Sequence, residues 1–245
     1  MHVTHIFAHR GYKAAFPENT MKAFSEAEKA GADGIELDVQ MAKDGSLVVI
    51  HDEKVDRTTD GSGFVKDFTL SELRRLDAGF HGADSAKEPI PALREVLDWV
   101  SGTELFCNIE LKNGVFPYKG MEEMVVSMVR EFNLSERIIL SSFNHYSIVY
   151  CSRIAPEIEI APLLAEGLYM PWIYAESIGA KGFHPHYRAA KDEIILASNE
   201  HGIKIRPYTV NSELELERLF KVDCSAVITD DPVKARKIKR KAKQA

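Results

Sequence analysis

The chain has 245 residues, 45% of them hydrophobic and 28% charged, with a formal net charge of −6. This length and composition suit a globular, barrel-sized unit and exclude a disordered or collagen-like chain. No run approaches the roughly 20 apolar residues that a bilayer helix needs, so stable membrane insertion is not expected, and the net acidity gives no reason to expect nucleic acid as a partner. Cys107, Cys151 and Cys224 are an odd number without ligand-like spacing, which reads as reduced, buried thiols rather than a disulfide framework or a zinc–thiolate site. Met1-His2-Val3-Thr4-His5 leads straight into an apolar run. It lacks the basic start and apolar core of a signal peptide, and a cytoplasmic location is the expectation.

In chain order, apolar β-rich runs alternate with segments of helical period. The predicted strands are Ile6–His9, Gly34–Val39, Leu47–His51, Leu105–Leu111, Ile138–Ser142, Ile158–Leu163, Ala180–His184, Ile203–Thr209 and Ala226–Thr229. The predicted helices between them include Thr20–Ala30, Leu93–Val100, Met121–Phe132, Lys191–His201 and Glu213–Phe220. Repeated strand-then-helix order implies a parallel sheet covered by helices, and about eight such units close a TIM-type (β/α)8 barrel. Nine strands are one too many. Leu47–His51 is the extra one, because Asp44-Gly45 separates it from its predecessor by a turn too short for a parallel crossover. With Asp44 and Gly45 as a two-residue turn, Asp38 is expected directly opposite His51.

Residues 52–91 break the alternation and read as a small insertion at the catalytic mouth, with a short helix near Thr69–Leu76. The expected organisation is a single barrel domain over residues 1–245, ending in a basic tail over residues 234–245. That tail reads as a solvated final helix with cations near its negative end, or as a contact for anionic lipid or RNA.

The chemistry-bearing residues sit at strand ends. In a strand, residues two apart share a face, so Glu36 and Asp38 are expected to point together into the barrel, as are Glu110 and Lys112. Three carboxylates without cysteine favour one hard divalent cation, Mg2+ or Ca2+. His9 and His51 each end a strand, where a barrel places catalytic groups, and imidazole suits proton transfer near neutral pH. Arg10 and Lys112 are candidates for holding phosphoryl oxygens, Arg as a fork and Lys as a point charge. Phe143 and Tyr208 are possible walls for a small substrate. Asn19 or Thr20 is expected to cap the first helix, with Glu18 or Asn19 near the site rim. Leu140-Ser141-Ser142-Phe143-Asn144 lacks a nucleophile elbow, and no Walker loop is present.

In this order and spacing the motifs resemble the glycerophosphodiester phosphodiesterase family from end to end. The resemblance is carried by His9-Arg10-Gly11, Pro17-Glu18-Asn19-Thr20, Glu36-Leu37-Asp38-Val39, Asp44-Gly45, Val49-Ile50-His51-Asp52, Arg57-Thr58-Thr59-Asp60-Gly61, Ile109-Glu110-Leu111-Lys112, Ser142-Phe143 and Thr229-Asp230-Asp231-Pro232. It implies a barrel, a divalent cation and hydrolysis of a glycerophosphodiester to glycerol 3-phosphate and an alcohol. By position it implies metal ligation by Glu36, Asp38 and Glu110, acid–base work by His9 and His51, and phosphate contacts from Arg10 and Lys112. It also implies that the inserted region bears on glycerol recognition. Many members carry Trp-Thr-Val-Asn where this chain has Tyr208-Thr209-Val210-Asn211. The competing readings are a lysophospholipase D-like phosphodiesterase acting on lipid headgroups, a non-catalytic phosphodiester-binding module and a metal-dependent aldolase. The partner common to the first two is a phosphodiester, and the sequence assigns no oligomeric state.

Overall fold

The computed structural model describes residues 4–79 and 87–242. The expectations that rest on Met1 to Val3, on part of the Gly-rich stretch of the insertion and on Lys243 lie outside the described residues. The strands are β1 (His5–His9), β2 (Gly34–Met41), β3 (Leu47–Val49), β4 (Phe106–Leu111), β5 (Ile138–Ser142), β6 (Glu159–Leu164), β7 (Gly182–Pro185), β8 (Lys204–Ile205) and β9 (Ala226–Thr229). The helices are α1 (Met21–Lys29), α2 (Leu70–Leu73), α3 (Leu93–Ser101), α4 (Met121–Glu131), α5 (His145–Ile154), α6 (Pro171–Ser177), α7 (Asp192–Glu200), α8 (Glu213–Lys221) and α9 (Pro232–Ala242).

Eight strands run parallel in the order β8-β7-β6-β5-β4-β2-β1-β9, and β3 pairs antiparallel with β2 outside that path. The circle closes through backbone bonds between the β8 and β9 segments. Ser225 N–H donates to the Ile205 carbonyl at 3.1 Å, and Ile228 N–H to that of Pro207 at 2.9 Å. This is the TIM-type barrel with an extra hairpin strand that the alternation predicts.

The hairpin register differs from the expectation by one residue. Val39 pairs with Val49 and Gln40 with Val48, and Ile50 N–H, not His51 N–H, reaches the Asp38 carbonyl at 3.0 Å. The turn has three residues, Lys43-Asp44-Gly45, closed by the Ala42 N–H bond to the Ser46 carbonyl at 2.9 Å. Gly45 supplies the left-handed conformation at φ 83° that a three-residue hairpin loop needs. Asp44 fixes this longer turn by accepting from Ser46 N–H and from Leu70 N–H, at 3.1 and 3.0 Å. His51 therefore lies beyond the strand end.

Two helices were not among those predicted from sequence. Within α5, His145-Tyr146-Ser147-Ile148-Val149-Tyr150 is rich in β-branched and aromatic residues, so its local preference conflicts with the state that tertiary packing imposes. The other, α6, is seven residues long with Pro171 at its first turn, too short for a periodic signal. The predicted strand over Ile203–Thr209 is shorter too, since Pro207 cannot donate to a ladder. Thr20 caps α1 by accepting from Ala23 N–H at 3.1 Å. Asn19 has left the cap role and turns into the barrel mouth.

The main core lies between the barrel's outer face and the helices, through Ile35, Leu37, Ile109, Leu111, Leu140 and their helical partners. A second cluster of Val48, Ile50, Val55, Val65, Leu73 and Ile90 holds the insertion against β3. Inside the barrel, Phe7, Ile139, Ala161, Ala226 and Ile228 fill the space with Phe106 and Tyr208. Cys107, Cys151 and Cys224 are all buried. The tail forms α9, with Ala235 and Ile238 buried and Lys239, Arg240 and Lys241 in its last turn, where cations face the negative end of the helix.

His184 on β7 is fully buried beside Arg206, whose Nη1 donates to His184 Nε2 at 3.4 Å. Burial, reinforced by the Arg206 charge, holds its pKa well below the ordinary histidine value. The native state keeps this ring neutral while the unfolded chain protonates it near pH 6.5. Stability is therefore full above that pH and falls below it, by about 1.4 kcal/mol per pH unit from this group. Comparing urea unfolding at pH 7.5 and 5.5, the wild type should lose about 1.4 kcal/mol more than His184→Phe. Equal losses in both proteins would contradict a neutral buried His184.

Candidate active site

The C-terminal ends of β1, β2 and β4 bring the predicted polar residues together. Glu36, Asp38 and Glu110 are 3%, 1% and 9% exposed, and one oxygen from each lies within 4.8 Å of the others. The alternation that sends them inward also buries Ile35, Leu37, Val39 and Ile109 outward against the helices. Three carboxylates so close and so dry are costly unless a cation answers them. Desolvation, with the charges of Asp38 and Glu110, pushes Glu36 well above the usual carboxylate range. Glu110 is raised to about 7, by desolvation and then by Asp38. Asp38 goes the other way, because Arg10, His51 and Lys112 together outweigh its desolvation.

Asp38 Oδ1 is buried without a hydrogen-bond partner. That oxygen, with Lys112 Nζ 3.9 Å away and no hydrogen bond, forms with the two other carboxylates the donor set of a hard divalent cation. The residues present fit such an ion: Glu36, Asp38 and Glu110 could each give one oxygen.

Arg10 and Gly11 turn the chain at the end of β1. Arg10 takes a left-handed conformation at φ 54°, which aims its N–H at Glu36 Oε2, 2.9 Å away. Gly11, at φ 81°, is required there because a Cβ would fall 2.7 Å from Ala23. The Arg10 Nη1 donates to Glu18 Oε1 at 2.9 Å. Its Nε is buried and pairs with Asp38 Oδ2 at 3.2 Å without hydrogen-bond geometry. Asn19 donates through Nδ2 to Asp38 Oδ2 at 2.9 Å and fixes that carboxylate.

The two histidines are held alike. His9 Nδ1 is 2.6 Å from Asp230 Oδ1, and His51 Nδ1 is 2.5 Å from Asp52 Oδ1. A carboxylate at Nδ1 places the proton there and leaves Nε2 as the reactive lone pair. His9 Nε2 points toward Glu36, 3.9 Å from Oε2. His51 Nε2 accepts from Lys112 Nζ at 3.1 Å, and the same ammonium donates to Glu110 Oε1 at 2.9 Å. Desolvation lowers the pKa of both rings, partly offset at His9 by Asp230 and at His51 by Asp38. Although its register differs from the expectation, His51 reaches the mouth because Gln40 Nε2 holds its carbonyl at 2.9 Å just past the end of β3.

Phe143 and Tyr208 meet edge to face at 6.1 Å. The Tyr208 hydroxyl, which a tryptophan would lack, donates to the Leu164 carbonyl at 3.2 Å. Tyr208 also feels the Glu110 charge, which with its desolvation raises its pKa.

Sequence reasoning did not single out Asp52, Asp230, Arg57 or Asn211 for this site. Asn211 Nδ2 donates to Asp230 Oδ2 at 2.6 Å, so His9 is oriented by a chain running back to the segment between β8 and α8. Asp52 was legible as the neighbour of a candidate histidine. The separation of 221 positions between His9 and Asp230 leaves no local signal.

Residues 9–234 match the model of the glycerophosphoryl diester phosphodiesterase family. The chain belongs to that family. It is 46% identical over 230 residues to a glycerophosphodiester phosphodiesterase of Caldanaerobacter subterraneus subsp. tengcongensis, covering 94% of this chain and 95% of the relative. It is 44% identical over 246 residues to one of Bacillus altitudinis, covering 98% and 100%. Among solved structures, a phosphodiesterase of Oleispira antarctica in complex with the product sn-glycerol-3-phosphate superposes with a TM-score of 0.85. That structure is 29% identical, with 99% of this chain and 98% of that one covered. The family accounts for the barrel, and the acidic cluster at its mouth accords with a metal-dependent hydrolase.

Proposed function

We propose that this barrel mouth hydrolyses glycerophosphodiesters to sn-glycerol 3-phosphate and an alcohol, with His9 and His51 as the acid–base pair. Glu36, Asp38 and Glu110 hold one divalent cation, Mg2+ or Ca2+, and Arg10 and Lys112 hold phosphoryl oxygens. The observation that carries this reading is the pair of imidazoles, each tied at Nδ1 to a carboxylate, beside a buried three-carboxylate cluster with one oxygen that has no hydrogen bond. The product-bound relative of Oleispira antarctica supports the substrate class.

With all three carboxylates ionised, Arg10 and Lys112 leave one negative charge over. A divalent cation turns that into one positive charge, the complement of a phosphodiester. Bound there, the cation supplies Lewis-acid polarisation of a phosphoryl oxygen and neutralises charge as it develops. The protein's own groups do the rest. Arg10 offers its guanidinium and Lys112 a point charge to the non-bridging oxygens. One histidine enters neutral and its Nε2 lone pair removes a proton from the nucleophile; the other enters as the imidazolium, protonated at Nε2 as well as Nδ1, and gives its Nε2 proton to the departing alkoxide. Asp52 and Asp230 keep both rings in the tautomer that presents Nε2 and stabilise whichever becomes charged. Phe143 and Tyr208 wall the side toward the alcohol.

The bond that breaks decides the reading. Phosphorus NMR of a glycerophosphocholine digest should show glycerol 3-phosphate as the new phosphomonoester, with free choline. Phosphocholine and glycerol as products would overturn it.

A further inference from the structure

Arg57, in the insertion, binds two carboxylates of the barrel mouth, each through two of its N–H groups. Its Nε and Nη2 donate to Asp52 Oδ2 and Oδ1 at 2.7 and 3.1 Å. Its Nη1 and Nη2 donate to Glu18 Oε2 and Oε1 at 3.0 and 2.7 Å. Each of those carboxylates has a second duty. Asp52 Oδ1 also holds His51 Nδ1 at 2.5 Å, and Glu18 Oε1 also receives Arg10 Nη1 at 2.9 Å. Arg57 thereby closes a chain from His51 through Asp52 and Glu18 to Arg10, joining the turn after β3 to the loop after β1.

We propose that Arg57 is a positioning residue: it acts through Asp52 and Glu18 to set the angle of the His51 ring and the reach of Arg10 together, without touching substrate. The proposal rests on the catalytic reading above. The four charge-assisted bonds take four of the five N–H donors of the guanidinium, so Nε and Nη2 are fully committed to the two carboxylates and a single Nη1 hydrogen is left over. The Arg57 side chain is 48% exposed, and exposed pairs contribute little to stability. Its worth lies in geometry. Misplacing a reacting group by about 1 Å costs up to about 100-fold in rate. Asp52 alone could rotate about its side-chain torsions, whereas Asp52 gripped at both oxygens presents Oδ1 to His51 in one direction. Lys cannot replace this fork, because one ammonium does not bind two carboxylates bidentately.

The test is steady-state hydrolysis of glycerophosphocholine by the metal-loaded full chain and its R57M, R57K, D52N and R57M/D52N variants, with thermal melting of each. R57M should lose about 30-fold in kcat with KM within about threefold and an almost unchanged melting temperature. R57K should fall between R57M and wild type. Because both residues act on the same ring, the double variant should lie within about threefold of the slower single variant. A loss confined to KM would make Arg57 a direct substrate contact and overturn the proposal, as would R57M within twofold of wild-type kcat or fully additive losses. No turnover by the wild type would instead bring down the catalytic reading, and the positioning role with it.

Discussion

Replacing His51 by alanine lowers kcat on glycerophosphocholine by about 10²–10⁴-fold, the range expected when a positioned acid or base is removed. His9→Ala has an effect of the same order. Both rings stand with Nδ1 on a carboxylate, while His9 Nε2 faces Glu36 and His51 Nε2 faces Lys112 Nζ, so neither can take over the proton at the other's position. The losses appear in kcat more than in KM, since the proton moves in the transition state. A discriminating control is to supply the leaving-group help chemically. With a substrate whose alcohol is already a good leaving group, such as a nitrophenyl ester, the variant lacking the acid recovers much of its rate, while the variant lacking the base does not. That comparison assigns the two roles. His51→Ala folding normally and keeping more than a tenth of wild-type kcat would contradict the assignment.

Removing one oxygen charge from the acidic cluster has a comparable effect by another route. Glu110→Gln and Asp38→Asn should each abolish detectable turnover at micromolar cation and recover part of it at millimolar cation. Without a cation, Glu36 is held well above the usual range by desolvation and its acidic neighbours, and Glu110 is raised to about 7. Cation binding needs both ionised, so it expels protons. Apparent affinity for Mg2+ or Ca2+ should therefore rise as pH climbs from about 6 to about 8. Titration calorimetry in two buffers of different ionisation enthalpy reads that proton release directly. A pH-independent affinity, or heats that do not change with buffer, would argue against cation binding by these carboxylates.

Much of this geometry is visible in the sequence because it follows from period two. Glu36 and Asp38, flanked by Ile35, Leu37 and Val39, can bury their apolar neighbours only by pointing inward, and Glu110 between Ile109 and Leu111 obeys the same rule. Barrel closure follows from alternation in the same way. Features that turn on a single torsion or on long-range contacts are not visible. Whether Asp44-Gly45 makes a two- or three-residue loop depends on where the left-handed residue falls, and Gly45 takes that place with Lys43 added before it. The expected pairing of Asp38 with His51 fails for that reason. His51 is nevertheless near the cluster, because Gln40 and Asp52 catch it after the strand ends. The Glu18–Arg57 and His9–Asp230 contacts join positions 39 and 221 apart. Nothing in local propensity encodes such pairs. The helix α5 is a conflict of a different kind, since its strand-like side chains are overruled by packing against β5 and β6.

On the proposed reading, release of glycerol 3-phosphate needs both a cation at Glu36, Asp38 and Glu110 and the paired histidines. The most direct test of that reading strips metal from the purified protein and follows that product from glycerophosphocholine and glycerophosphoethanolamine, before and after adding Mg2+ or Ca2+. The predicted result is no product from the stripped protein, restored turnover with one of the two cations, and no restoration in His51→Ala. Full turnover by the stripped protein, or none from either diester with both cations present, would contradict it.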